Sequence, residues 1–158
     1  MRIGFGYDVH VYAPNRQLWL GGILVPAEIG LLGHSDADVL IHALCDALLG
    51  AAAMRDIGYH FPPIKGNAYE NIDSKILLRE VITMLREAGY ELGNCDCTIC
   101  AETPKLNPYI PAMTTCLAQV MGVSEGQISI KATTTEQLGF VGRKEGVAAY
   151  AVVLITEK

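Results

Sequence analysis

Between residues 39 and 54 the chain runs through apolar side chains and glycine, interrupted by polar groups only at His42 and Asp46. A segment this apolar has to be buried, yet it is shorter than the roughly 20 residues that a membrane-spanning helix needs. It therefore predicts a core helix. Ser35 is in place as its N-cap, with Asp38 three residues later, and the helix runs to about Ala53. Helical spacing then sets Asp38, His42 and Asp46 on one stripe, a polar seam along an otherwise apolar helix.

The flanking segments alternate between strand and helix signals. Residues 2–7 read as a first strand, residues 18–26 with Gly21-Gly22 at their centre as a small hairpin, and residues 30–33 as a loop. Residues 57–72 carry Gly, Pro and Asn with little periodicity and predict a long functional loop. Asp73-Ser74 cap a second helix to about Ala88, in which Ile76, Leu77, Val81 and Leu85 follow helical spacing and Gly89 marks the stop. A strand over 95–102 follows, then a turn at 104–111 and a third helix ending at Met121 before Gly122. Strands over 128–134 and 147–156 close the chain, separated by a loop with Gly139, Gly142 and Gly146. Three helices interleaved with one sheet predict an α+β fold: a single layered domain over residues 1–158, one mixed sheet with helices on one face, and a small hairpin near the N-terminus.

Only 18% of the residues are charged, against roughly 25% in ordinary soluble domains, which predicts apolar surface hidden between copies of a homo-oligomer. A net charge of −5 without any Lys/Arg cluster argues against nucleic acid. An acidic chain that handles phosphates needs metal cations to offset the charge. The opening Met1-Arg2-Ile3-Gly4 lacks the basic and apolar regions of a secretory leader, so a cytoplasmic protein without a membrane segment is expected. Five cysteines then read as reduced thiols. In Cys95-Asp-Cys-Thr-Ile-Cys100, strand alternation sends 95 and 97 to one face and 100 to the other, which fits buried thiols better than a zinc cluster.

Asp8 and His10 lie two apart at the end of a strand, so their side chains leave the same face. With His42 they form a carboxylate and two imidazoles, a set that suits zinc and leaves a fourth position open. Spacing alone equally allows Asp8 as a turn cap, His10 at the surface and His42 as a satisfied core histidine. His34-Ser35 precede the helix start, where an anion is favoured, although Asp36 and Asp38 compete for the same positive end. Lys131-Ala-Thr-Thr-Thr-Glu136 ends a strand with hydroxyls and one carboxylate, enough for magnesium when waters and phosphates fill its other positions, or simply a solvated strand end. Asp56-Ile-Gly58 offers either ribose recognition or a helix-ending turn, and Arg143-Lys144-Glu145 either an anion contact or an exposed loop. No Gly-x-Ser-x-Gly or Walker-type loop occurs, so serine nucleophiles and ATP-type phosphate cradles are not expected.

Taken in order, Arg2-Ile-Gly-Phe-Gly-Tyr-Asp-Val-His10, Gly33-His-Ser-Asp-Ala-Asp38, His42-Ala-Leu-Cys-Asp-Ala-Leu-Leu-Gly50, Asp56-Ile-Gly58, Phe61-Pro62, Pro104-Lys105 and Lys131-Ala-Thr-Thr-Thr-Glu-Gln-Leu-Gly-Phe140 resemble the 2-C-methyl-D-erythritol 2,4-cyclodiphosphate synthase family of the non-mevalonate isoprenoid pathway. The resemblance runs nearly end to end. It implies a CMP-releasing phosphorus–oxygen lyase with zinc on Asp8, His10 and His42 and magnesium or manganese on Glu136, one of each per active site, and with Lys131 in the catalytic set. It implies substrate contacts from His34, Ser35, Asp56, Gly58 and Phe61, and a cytidine and α-phosphate pocket built from Ala101, Pro104, Lys105, Leu106, Thr133, Thr134 and Thr135. It further implies a homotrimer with active sites between subunits and an apolar axial channel in which Phe140 and Arg143 meet a prenyl diphosphate. The chain departs from the family at Pro63, commonly acidic there, and at Phe5, commonly His. Two other readings use the same residues: a zinc hydrolase, for which only His34 or Asp38 is on offer as a base, and a trimeric module that binds prenyl diphosphates without turnover.

Overall fold

Gly4 and Gly6 set how closely the first strand and the first helix approach. A Cβ at Gly4 would stand 1.8 Å from the Ala47 carbonyl oxygen, and one at Gly6 would stand 1.9 Å from that of Ala43. The strand backbone therefore rests directly on the helix backbone. In a computed structural model describing residues 1–62 and 72–158, the chain forms β1 (Arg2–Ala13), β2 (Leu18–Leu20), β3 (Ile23–Val25), β4 (Gly30–Leu31), α1 (Val39–Ala51), the single-turn α2 (Ile57–His60), α3 (Ser74–Glu87), β5 (Tyr90–Cys100), α4 (Ile110–Met121), β6 (Ile128–Thr133), the single-turn α5 (Gly139–Gly142) and β7 (Gly146–Glu157).

The five-stranded sheet has the order β4-β1-β7-β5-β6. β7 is antiparallel to both β1 and β5, and β6 is parallel to β5, as the crossover through α4 allows. The fold is α+β with a mixed sheet, and α1, α3 and α4 cover one face. Leu40, Leu44 and Leu48 of α1, Leu78 and Leu85 of α3, and Met113 and Leu117 of α4 pack against Cys97, Ile99, Ala151 and Val153 of the sheet. Alternation along β1 turns Gly4, Gly6, Asp8 and His10 toward α1 and leaves Ile3, Phe5, Tyr7, Val9 and Val11 exposed on the other face, beside Tyr150 and Val152 of β7. β2 and β3 form a separate hairpin whose connecting Gly21 and Gly22 have φ of 59° and 79°, a turn that residues with a Cβ resist.

Several boundaries differ from the sequence expectation. β1 extends past residue 7 to Ala13, because the backbone ladder to β7 continues to Val11 opposite Gly146 whatever the polarity of Asp8 and His10. The expected loop at 30–33 contributes the edge strand β4, with Leu31 opposite Tyr12. α1 is capped by Asp38, whose side chain accepts from Ile41 N, and not by Ser35; Ala37 at φ 60° keeps the preceding backbone out of the helix. β5 begins at Tyr90, earlier than residue 95, with a register shift between Leu92 and Asn94. The loops expected at 57–72 and 139–146 contain the short helices α2 and α5; residues 63–71, with Pro63, lie outside the described residues. All five cysteines are free, with Cys45, Cys95, Cys97 and Cys100 buried. Among the described residues, no helix is long and apolar enough to cross a membrane.

Candidate active site

Close strand–helix contact brings the ends of β1 and α1 together. Asp8 Oδ2 lies 3.0 Å from His10 Nε2 and 3.1 Å from His42 Nδ1, and the two ring nitrogens are 3.1 Å apart. These atoms form a nearly equilateral triangle. Side-chain exposures of 26% for Asp8, 18% for His10 and 14% for His42 leave it open on one side.

Hydrogen bonding to the outer ring atoms sets which ring nitrogens can turn a lone pair into the triangle. His10 Nδ1 faces the Leu32 carbonyl oxygen at 2.9 Å, which can only accept, so Nδ1 carries the proton and Nε2 presents a lone pair. His42 Nε2 lies 2.9 Å from Ser74 Oγ, whose own hydroxyl donates to the Asp36 carboxylate, and 3.0 Å from Ser35 Oγ. Ser74 is thereby an acceptor toward His42, which puts the imidazole proton on Nε2 and a lone pair on Nδ1. With both imidazoles neutral, three acceptors converge, an arrangement that calls for a cation, either a metal ion or a proton on a ring nitrogen. Tetrahedral zinc with bonds of about 2.0–2.2 Å sets its ligands roughly 3.3 Å apart, close to the observed triangle. Asp8, His10 and His42 fit such an ion. Without one, burial would raise the Asp8 carboxyl, but hydrogen bonds with His10 and His42 outweigh it and hold the group well below the usual carboxylate range.

The other two members of the polar seam hold the surroundings of His42. Asp38 is fully buried and its carboxylate accepts from Gly21 N at 3.0 Å, Gly22 N at 2.7 Å and Ile41 N at 3.1 Å, tying the hairpin turn to the start of α1. With its oxygens engaged in this way, it is unsuited to the role of a hydrolytic base. Asp46 accepts from Ile57 N at 2.8 Å and anchors α2. That helix starts at exposed Asp56, which accepts from Tyr59 N at 2.8 Å, and carries exposed Gly58, while Phe61 beyond it packs partly against the core. Asp38→Ala is expected to cost about 2 kcal/mol, because it removes a helix cap and strands two buried turn N–H groups; a lowered thermal midpoint with the native circular dichroism spectrum kept is the outcome to look for.

A second feature lies at the ends of β5 and β6. Ala101, Pro104, Lys105, Leu106, Thr133 and Thr134 line a cleft of about 340 Å³, together with Glu102. Tyr12 of β1 donates its hydroxyl to the Thr103 carbonyl, and burial, with Glu102 nearby, pushes its pKa up to about 12. Glu102 Oε1 accepts from Thr135 N at 2.9 Å and Gln137 N at 3.3 Å, bracketing Glu136, which sits at φ 53° and accepts from Thr134 Oγ1 at 3.0 Å. Glu136 is outside the ligand cluster of Asp8, His10 and His42. Thr135 Oγ1 donates to Leu138 O. Lys131 is paired with Asp96 on the exposed sheet surface, and Arg143 with Glu145 through two contacts of 2.8 and 3.2 Å. Phe140 shares a separate cleft of about 460 Å³ with His10, Val9, Val11 and Leu32. His34 is exposed, whereas Ser35 is buried beside His42.

The sequence reading thus named the three residues of the triangle and the run that lines the cleft, but missed Asp36, the contact of Ser74 with His42 and the Leu32 carbonyl. Ser74 had a signal only as a helix start, and Asp36 only as a competitor at a helix terminus; main-chain acceptors such as Leu32 O leave none.

The chain is similar to known proteins over nearly its whole length. The 2-C-methyl-D-erythritol 2,4-cyclodiphosphate synthase of Parabacteroides distasonis is 70% identical over 155 residues, 98% of this chain and 96% of the relative. The bifunctional IspDF of Campylobacter jejuni superposes with a TM-score of 0.95 at 42% identity over 99% of this chain, which spans 42% of that longer protein. A CDP complex of IspF from Plasmodium falciparum superposes with a TM-score of 0.87 at 32% identity, covering 99% of this chain and 96% of that one. With the YgbB family profile matching residues 1–156, the chain belongs to that family, the family of the 2-C-methyl-D-erythritol 2,4-cyclodiphosphate synthases.

Proposed function

We propose that the chain converts 4-diphosphocytidyl-2-C-methyl-D-erythritol 2-phosphate to 2-C-methyl-D-erythritol 2,4-cyclodiphosphate and CMP. The observation that carries this reading is the triangle of lone pairs on Asp8, His10 and His42, each imidazole oriented by a partner on its outer nitrogen. A substrate oxygen on the 2-phosphate attacks the β-phosphorus; the bond from that phosphorus to the bridging oxygen breaks, and its electron pair departs with CMP. The nucleophile is already anionic, so no proton has to be removed, and the chain's work is to position groups and offset charge. Asp8, His10 and His42 would hold zinc and Glu136 would hold magnesium or manganese; when bound, these ions would supply Lewis-acid charge for the phosphates.

The cleft lined by Pro104, Lys105, Leu106 and Thr133 takes the cytidine end; the CDP complex of the Plasmodium relative supports a cytidine-diphosphate ligand. Asp56 and Gly58 on α2 take the ribose hydroxyls, Phe61 follows them along the substrate, and His34 and Ser35 approach its phosphates. Lys131 and Thr135 complete the phosphate side, with Lys131 exchanging Asp96 for substrate. The exposed apolar face of β1 and β7 supports a homotrimer in which copies of the chain cover that face. That Glu136 stands outside the triad's cluster within one chain supports active sites completed between subunits. Phe140 and Arg143 are the residues to meet a prenyl diphosphate in the axial channel.

Phosphorus NMR of the purified protein with substrate and magnesium tests the reading: CMP and a cyclic diphosphate should appear and a strong chelator should prevent both. Intact substrate in the metal-replete sample overturns it, and CMP without ring closure indicates a hydrolase. Glu136→Gln should lower kcat about 10²-fold and abolish the response to magnesium; an unchanged magnesium titration removes Glu136 from the site.

A further inference from the structure

We propose that Asp36 and Ser74 are positioning residues for His42, acting as a hydrogen-bond relay that fixes its ring and strengthens its donor nitrogen; the inference rests on the metal-dependent reading above. Ser74 Oγ accepts from His42 Nε2 at 2.9 Å and donates to Asp36 Oδ1, while Asp36 Oδ2 accepts the Ser74 backbone N–H at 2.9 Å. The carboxylate grips Ser74 with both oxygens. Asp36 is itself held by its N–H to the Ile72 carbonyl at 3.1 Å and by Asp38 N, which donates to Oδ1 at 3.1 Å.

Nothing in the start of α3 calls for a serine hydroxyl at this position. Asp73 is the N-cap, accepting from Lys75 N at 2.9 Å, and the Ser74 side chain is fully buried, where a hydroxyl without partners is costly. Its partners are the metal-ligand histidine on one side and a carboxylate on the other. A carboxylate behind the hydroxyl polarises it as an acceptor, which raises the basicity of the opposite ring nitrogen, the one turned to the ion. Ser35 Oγ is also near Nε2 at 3.0 Å, but it accepts from Ala37 N at 3.2 Å and has no carboxylate behind it. The relay joins α3 to α1, so the ring of His42 is oriented from a helix that contributes no ligand.

The test compares full-length parent, Ser74→Ala, Asp36→Asn and Ser35→Ala for cobalt(II) affinity, measured by competition with a chromogenic chelator, and for the His42 Nε2–H resonance of the zinc-loaded protein. Ser74→Ala and Asp36→Asn should each bind cobalt about 10–100-fold more weakly than the parent. The Nε2–H resonance should broaden through solvent exchange in Ser74→Ala, while circular dichroism of the metal-free forms stays as in the parent. Asp36→Asn removes charge at constant volume and carries the test if Ser74→Ala folds poorly. Parental affinity in both variants overturns the relay, as does a loss confined to Ser35→Ala. A parent that binds no cobalt overturns the metal reading and the relay with it.

Discussion

His42→Ala is expected to abolish turnover while leaving the fold in place. The imidazole lies at one corner of the triangle and offers Nδ1, one of the three atoms that could hold an ion there. Asp8 and His10 alone cannot hold a tetrahedral ion with the same affinity, and the loss of the charge it brings to a developing phosphate centre should cost at least about 10³-fold in kcat/KM. The fold has little at stake. Alanine is a better helix former than histidine, the site is partly open to water, and Ser74 keeps its carboxylate partner when its other neighbour goes. A stability change of about 1 kcal/mol corresponds to roughly 2–4 °C in a chain of this size. Zinc content by atomic absorption, kcat/KM and the thermal midpoint of the metal-free protein together check the expectation: metal and turnover should vanish while the metal-free midpoint stays close to that of the metal-free parent, and full activity would remove zinc from the mechanism.

How far the sequence announced this arrangement depends on which signal each residue left. Asp73, Gly89 and Gly122 bound α3 and α4 as their local chemistry predicts, since a cap or a left-handed stop is decided within a few residues. The start of α1 misled for the same local reason. Ser35 with Asp38 three residues on has the look of a capping pair, but Ala37 at φ 60° breaks the helix before Asp38, and Ser35 turns inward to His42. The seam of Asp38, His42 and Asp46 was visible as a periodicity, yet each partner lies far along the chain: Gly21 and Gly22 for Asp38, Asp8 for His42, Ile57 for Asp46. Spacing identified Asp8, His10 and His42 as one candidate ligand set without excluding three unrelated roles; the resemblance across ordered segments decided between them. Ser74 and Asp36 were out of reach because one hydroxyl and one carboxylate separated by a helix and a loop leave no pattern in the sequence.

Gly6→Ala should damage fold and metal site together, which separates it from His42→Ala. The added Cβ would meet the Ala43 carbonyl oxygen at 1.9 Å and Ala47 N at 2.7 Å, both backbone atoms and both under the 3.0 Å limit that real Cβ contacts respect. No rotamer relieves such a clash, so β1 and α1 have to separate. Overpacking a core costs about 1–3 kcal/mol when side chains can yield, and here about 3 kcal/mol or more is expected because two backbones must move. At roughly 2–4 °C per kcal/mol, the thermal midpoint should fall by at least about 6 °C. His42 is the neighbour of Ala43 on the displaced helix, while Asp8 and His10 belong to the strand left behind, so the same separation opens the triangle of 3.0 and 3.1 Å and zinc affinity falls with stability. Gly50→Ala supplies the contrast within α1: a Cβ there meets nothing within 4 Å, and alanine in place of an exposed helical glycine should stabilise by about 0.5–1 kcal/mol. If Gly6→Ala melts and binds zinc as the parent does, direct contact between β1 and α1 is not what aligns the two histidines with Asp8. A large loss at Gly6 beside a small gain at Gly50 would show that the metal site is aligned by the absence of two side chains on β1.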